Sequence, residues 1–182
     1  MEDNRPIPNC YWVEPGRLLA GEYPGALDAA TARERIRKFL AAGATFFLDL
    51  THEGESGLQP YAPLLFEEAS AAGIAVEHRR LPIRDLSVPP TRRAMADILS
   101  VIDGALASGH TVYVHCGGGV GRTGTVVGCY LARHGMSGEQ ALRQIAGWWA
   151  TIEKWYRHPR SPETAAQEDF VRNWHEPVPQ RD

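Results

Sequence analysis

The stretch Val112 to Thr125, VYVHCGGGVGRTGT, constrains this chain more than any other. Its first residues are β-branched and aromatic and read as a buried strand; those after Arg122 read as a helix. Between them lies a loop dominated by glycine. A strand running straight into a glycine-rich loop and then a helix is an anion site: successive backbone N–H groups converge, and the helix N-terminus adds positive partial charge. Gly117, Gly118, Gly119 and Gly121 let the backbone curl around a ligand.

The rest of the chain alternates strand and helix patterns around this junction. Trp12–Ala20 reads as a short first strand with a turn at Pro15-Gly16. A helix pattern runs from Asp28 to Ala42, with Thr31 and Glu34 at capping-box spacing and Gly43 as its stop. Ala44–Leu50 reads as a buried strand, Tyr61–Ala72 as a helix ended by Gly73, and Ile74–Ile83 as a second long strand. Met95, Ile98, Leu99, Ile102 and Leu106 fall at helical spacing within Thr91–Ala107, and Thr111–His115 reads as a third core strand. Helices follow over Arg122–Arg133 and from Ser137, which has Gln140 at capping-box spacing, to Trp149. A last helix is expected after the Ser161-Pro162-Glu163 start signal. Strands alternating with helices predict an α/β domain.

With 182 residues, 43% apolar and 23% charged, the chain is expected to form one domain over residues 10–175, with a loose lead-in over 1–9 and a frayed tail over 176–182. No stretch approaches the roughly 18 consecutive apolar residues of a membrane span. The first residues have no apolar leader pattern, which predicts a cytoplasmic address. A net charge of −3 argues against nucleic acid as a partner. Cys10, Cys116 and Cys129 are too few for a disulfide framework and are expected as free thiols. The seven histidines show no metal-binding spacing, so neither metal nor cofactor is expected. Of the 19 basic residues only Lys38 and Lys154 are lysines.

Two nucleotide motifs fail against the loop. A Walker A sequence needs Gly where Cys116 stands and Lys where Arg122 stands. A dinucleotide fingerprint drawn on Gly119, Gly121 and Gly124 lacks its early βαβ setting and leaves Cys116 without a role. Reading from the cysteine works better. Cys116 opens the loop, where an anion cradle favours a thiolate nucleophile. Arg122 closes it and can offer a bidentate fork to phosphate oxygens. Thr123, at the helix start, can hydrogen-bond a departing thiolate.

His115-Cys116-Gly-Gly-Gly-Val-Gly-Arg122-Thr123 resembles the H-C-x₅-R-T signature of the cysteine-dependent protein tyrosine phosphatases, most closely their small dual-specificity-type branch. The resemblance implies an α/β fold with a central mixed sheet flanked by helices. It also implies metal-free hydrolysis through a phosphocysteine, a phosphorylated protein or peptide as partner, and no membrane. Substrate oxygens would be bound by Gly117, Gly118, Gly119, Val120, Gly121 and Arg122. His115 would support the loop and the thiolate. The family's acid is usually an Asp on an upstream loop. Asp85, in LPIRDLSVPP, fits that placement; Asp49 lies within an apolar strand, and Asp97 and Asp103 lie on the following helix.

Smaller signals attach to this reading. His52 and Glu53, after a core strand, are candidates for the pocket rim. Arg79, Arg80, Arg84, Arg92 and Arg93 flank the acid loop. Gln167 lies where larger family members position a water. Cys129 reads as core, with a reversible disulfide to Cys116 as the sharper alternative. No Lys or Arg lies between Cys116 and Arg122, which favours phosphoprotein over inositol or lipid phosphates, unless basic residues arrive from other loops. Two further readings are a rhodanese-like sulfur transferase and a phosphate-reading module without turnover.

Overall fold

The computed structural model describes residues 4–178. Its five-stranded sheet has the order β1-β2-β5-β3-β4, with β1 Cys10–Glu14, β2 Leu18–Gly21, β3 Ala44–Asp49, β4 Glu77–Arg80 and β5 Thr111–His115. β1 and β2 are antiparallel, while β2, β5, β3 and β4 run parallel, so the sheet is mixed. Among the described residues six α-helices cover it: α1 Ala29–Ala41, α2 Ala62–Ala71, α3 Arg92–Ala107, α4 Gly121–Arg133, α5 Gly138–Trp149 and α6 Ala165–Arg172.

Side chains alternate across the strands and feed two cores. Val112 and Val114 of β5, with Phe46 and Leu48 of β3, meet α3, α4 and α5 through Leu99, Val126 and Ile145. Tyr113 and Phe47 point the other way and meet α1 and α2 through Phe39 and Leu65. α4 is buried along most of its length. Its Gly128 permits this: a Cβ there would stand 2.6 Å from Val171 of α6. The helix carrying the loop's downstream end is therefore clamped between sheet and helices.

Several local expectations change. The first strand becomes a hairpin around the Pro15-Gly16 turn, with Arg17 N–H donating to Glu14 O. The α1 cap is Asp28, which accepts from Thr31 N–H, so Thr31 already lies inside the helix. The long strand over 74–83 shrinks to Glu77–Arg80 at the sheet edge. Beyond Arg80 the chain still follows β3, with Leu81 N–H on Asp49 O and Ile83 N–H on Leu50 O, but Pro82 has no N–H to continue a regular ladder. α6 is capped by Thr164 with Gln167, while Ser161 donates to Val120 O. The lead-in is not loose from Ile7 on, because Ile7 is buried in the second core. In the tail, Glu176 accepts from Arg133. Residues 1–3 and 179–182 lie outside the described residues.

Candidate active site

β5 delivers Cys116 to the sheet's carboxyl edge, and the loop 116–120 then wraps to the start of α4. The loop's carbonyls are held from outside. Cys116 O accepts from His115 Nδ1, Gly117 O from Tyr23 N–H, Gly118 O from Lys154 Nζ, and Val120 O from Ser161. In a planar trans peptide the C=O and N–H point in opposite directions. Carbonyls drawn outward therefore turn the N–H groups of Gly117, Gly118, Gly119 and Gly121 inward. Among the described residues, none accepts from the N–H groups of Gly117, Gly118 and Gly119. Gly119 is required twice: its φ is +76°, and a Cβ would lie 2.5 Å from the backbone of Gly21.

Arg122 is 3% exposed and rigidly placed. Its Nη1 donates to Ile83 O at 3.0 Å, Leu50 O at 3.4 Å and Glu55 Oε2 at 2.9 Å. Its Nη2 meets Glu55 Oε1 at 2.5 Å and Asp85 Oδ1 at 3.0 Å. Nε has no acceptor among the described residues. The Nη1–Nη2 edge is thus taken by Glu55, and the Nε–Nη2 edge remains for a ligand once Asp85 moves aside. Burial opposes the Glu55 charge, but hydrogen bonds from Arg122 and from His52 N–H outweigh it and hold the carboxyl below its ordinary pKa.

Cys116, 3% exposed, forms part of the wall of a cavity of about 330 Å³. Gly117, Gly118, Val120, Gly121, Arg122, Asp85, Leu86, Glu55, Ser56, Leu58, Lys154, His158 and Glu163 complete it. Asp85 sits on the loop between β4 and α3 with its side chain 59% exposed.

Behind the loop lies a buried polar network. His115 Nδ1 faces the Cys116 carbonyl, which can only accept, so Nδ1 carries the proton. Nε2 must then accept from Tyr61 Oη at 2.7 Å. Burial pushes the His115 pKa down to about 4, despite the nearby Asp49 carboxylate. Burial also raises the Tyr61 pKa, which keeps the hydroxyl a donor. Asp49 is fully buried; burial alone would raise its pKa, but His78, His115 and the Thr51 hydrogen bonds reverse the shift to well below the carboxylate range. Arg80 also binds it.

A family model described as PTP-SAK, Swiss Army Knife protein, DSP-PTPase phosphatase domain, matches residues 7–171. The chain belongs to the small dual-specificity-type branch of the protein tyrosine phosphatases. It is 32% identical over 120 residues to the candidate tyrosine phosphatase 067L of Invertebrate iridescent virus 3, covering 64% of this chain and 42% of that protein. It is 27% identical over 142 residues to the phosphatidylglycerophosphate phosphatase PTPMT1 of Arabidopsis thaliana, covering 68% and 42%. The chain thus spans less than half the length of these relatives. Among solved structures, a kinase-associated phosphatase with its catalytic-site cysteine replaced by serine superposes with a TM-score of 0.65 at 20% identity, covering 85% of this chain and 83% of that one. The fold is that of the phosphatases, and the sulfur-transferase reading falls away.

In this chain the structure gathers Cys116, Arg122 and Asp85 at one cavity with Gly117, Gly118, Val120 and Gly121. Gly119 shapes the loop from outside that lining. Thr123 is buried, with Oγ1 3.4 Å from Gly21 O, and His115 lies behind the loop. The 51–57 loop does reach the cavity, but through Glu55 and Ser56 and not His52 or Glu53. Gln167 is buried outside the lining: its amide accepts from Glu163 and Thr164 N–H and donates to Ser87 O. Arg80, Arg92 and Arg93 are engaged by Asp49, Asn173 O and Asp97.

Cys129 packs in the core as a free, buried thiol, and Cys116 is free as well. Burial raises its pKa. The lining residues that the sequence analysis did not single out are Glu55, Ser56, Leu58, Leu86, Lys154, His158 and Glu163. Glu55 carried only a weak signal, one of two acids after a core strand.

Proposed function

We propose that this chain hydrolyses phosphate monoesters through a phosphocysteine on Cys116. One observation carries the reading: the thiol borders a cavity beside the loop N–H groups and the Nε–Nη2 edge of Arg122, which only Asp85 covers. Three equatorial phosphate oxygens would be held by the loop N–H groups and by that guanidinium edge. The arriving phosphate takes Nη2 from Asp85 and frees its carboxyl for the leaving group. The Cys116 thiolate then forms the S–P bond as the P–O bond breaks, and Asp85, having taken up a proton from solvent on leaving Arg122, delivers it to the leaving oxygen. In the second step water attacks phosphorus, Asp85 takes the water's proton, and the thiolate leaves with phosphate released. Thr123, adjacent to the loop, is assigned to the departing thiolate, and His115 to holding the Cys116 peptide in place. No step requires a metal.

The leading substrate is phosphotyrosine on a protein, with phosphoserine and phosphothreonine as further candidates. A phosphorylated lipid or polyol headgroup is the second reading. It is favoured by Lys154 and His158, which bring basic groups to the cavity from outside the Cys116–Arg122 loop, and by the name of the Arabidopsis relative.

Turnover of para-nitrophenyl phosphate tests the chemistry. Cys116→Ser should lower kcat by at least about a thousandfold while inorganic phosphate still binds. Asp85→Asn should lower kcat by roughly a hundredfold or more, least for aryl esters with acidic leaving groups. Parent-like turnover by Cys116→Ser would overturn the assignment.

A further inference from the structure

The segment that carries Asp85 is held at two points. Upstream, Ile83 N–H donates to Leu50 O, and Ile83 O accepts from Arg122 Nη1 at 3.0 Å. Downstream, Ser87 O accepts from Gln167 Nε2 at 3.0 Å. Among the described residues, this is the one hydrogen bond that reaches residues 84–88 from another element, apart from the Asp85–Arg122 pair. Between the two points the chain makes a tight turn, with Ser87 N–H on Arg84 O at 3.1 Å. Leu86 is the third residue of that turn and has a φ of +58°. Gly is favoured there, because a side chain crowds the backbone in the left-handed region. Leu86 is also 55% exposed, so burial does little to hold it in that conformation. The shape of the turn therefore depends on its two ends.

Gln167, in the first turn of α6, is fully buried. Its partners fix the orientation of its amide. Oε1 accepts from the N–H groups of Glu163 and Thr164, both at 3.1 Å, so Nε2 is the end that faces Ser87 O. The amide also packs on the start of α4: a Cβ at Gly121 would lie 2.8 Å from both Oε1 and Nε2. One side chain thus joins the acid turn, the residue before Arg122 and the backbone of Glu163 in the cavity wall. A capping box uses only the acceptor oxygen of such a residue. The donor end is left for Ser87.

We infer that Gln167 is a positioning residue for Asp85: it pins the acid turn at Ser87 while the carboxylate passes from Arg122 to the leaving oxygen. The inference rests on the phosphomonoesterase reading and deepens it. Asp85 lies 3.0 Å from Arg122 Nη2 and must swing away when phosphate arrives. With Ile83 and Ser87 both held, only the three residues between them move, and the carboxylate stays within reach of the cavity. Without the Gln167 donor, Leu86 is free to leave the left-handed region and to carry Asp85 with it. Gln167 itself stands outside the cavity wall and touches no substrate.

The test is leaving-group dependence. A phenolate needs the proton of the acid, and a 2,4-dinitrophenolate hardly does. Gln167→Met should lower kcat/KM about tenfold for phenyl phosphate and less than about twofold for 2,4-dinitrophenyl phosphate. Added to Asp85→Asn it should have no further effect on either ester, because no acid is left to misplace. Thr164→Ala breaks the other half of the α6 capping box and leaves the Gln167 amide in place. It should lower the urea midpoint without moving the ratio of the two esters. Gln167→Glu keeps both cap hydrogen bonds and lacks the donor when ionised, and it carries the same comparison should the methionine variant not fold.

Equal losses on both esters, an undiminished further loss in Asp85→Asn protein, or a ratio moved as far by Thr164→Ala would show that Gln167 serves only the folding of α6. Any of these would overturn the inference. Asp85→Asn by itself reports the underlying reading: equal losses on both esters would remove Asp85 as the acid, and the positioning role with it.

Discussion

The catalytic loop and the rim around it are built on opposite plans. The loop is contiguous, Cys116 to Arg122, and its outward carbonyls are tied down by His115, Tyr23, Lys154 and Ser161. The rim is assembled from segments far apart in the chain: Glu55 and Ser56 after β3, Asp85 and Leu86 after β4, and Lys154, His158 and Glu163 after α5. The loop has little freedom, and its polar groups converge on one point. The rim meets the loop through charged side chains, with Asp85 59% exposed and Leu86 held at a φ of +58°. On the proposed reading, phosphate capture falls mainly to the loop and substrate choice to the rim. Two rim side chains cross this division, because Lys154 holds the Gly118 carbonyl and Glu55 holds Arg122.

The sharpest way to break this division is inside the loop. Arg122→Lys keeps the charge but loses the planar fork, the Glu55 bidentate pair and the bond to Ile83 O together. It should lower kcat/KM for an aryl phosphate by about a thousandfold. A loss below tenfold would mean that the rim contributes the clamp.

The next prediction tests the seam. Glu55→Gln removes the carboxylate that orients Arg122 and should cost roughly tenfold in kcat/KM, with phosphate inhibition weakened in parallel. His52→Ala, three residues away on the same loop but outside the cavity lining, should stay within about twofold. Similar losses for the two variants would assign the effect to loop folding and not to Glu55.

A smaller effect sharpens the account of what lies behind the loop. His115 stays neutral in the fold, with its pKa pushed down to about 4 from an ordinary 6.5. Between those values the unfolded chain binds a proton that the folded one refuses. Stability therefore falls as pH drops from 6.5 toward 4 and is independent of this group above that window. Urea midpoints at pH 7.5 and pH 5 read it directly. His115→Gln, less stable at pH 7.5, should show a shallower decline, and an unchanged decline would assign the acid sensitivity to other groups.

Much of the loop was legible because its information is local. Glycines at fixed offsets, a strand before and a helix after are read over a few residues, and Cys116 and Arg122 face one cavity as their spacing requires. The helices were legible too, since periodicity and caps are short-range; the Ser137–Gln140 capping box forms as expected. Asp85 could be named because the family resemblance calls for an acid on an upstream loop, and LPIRDLSVPP offers one acid between strand and helix. Errors came where a long-range partner decided. Nothing local separates Glu53 from Glu55 as the arginine's partner, and Gln167 spends its amide on the α6 cap and on Ser87.

The order of residues 112–125 was enough to dictate a strand–loop–helix turn with a thiol at one end and a guanidinium at the other, because backbone geometry within one such unit obeys local sterics. Folding added the environment: the Glu55 carboxylate on Arg122, the Tyr61–His115 prop beneath Cys116, and the Lys154 ammonium in the wall. Those groups come from sheet order and helix packing, which depend on burial summed over the whole chain and so leave no mark at any single stretch of sequence.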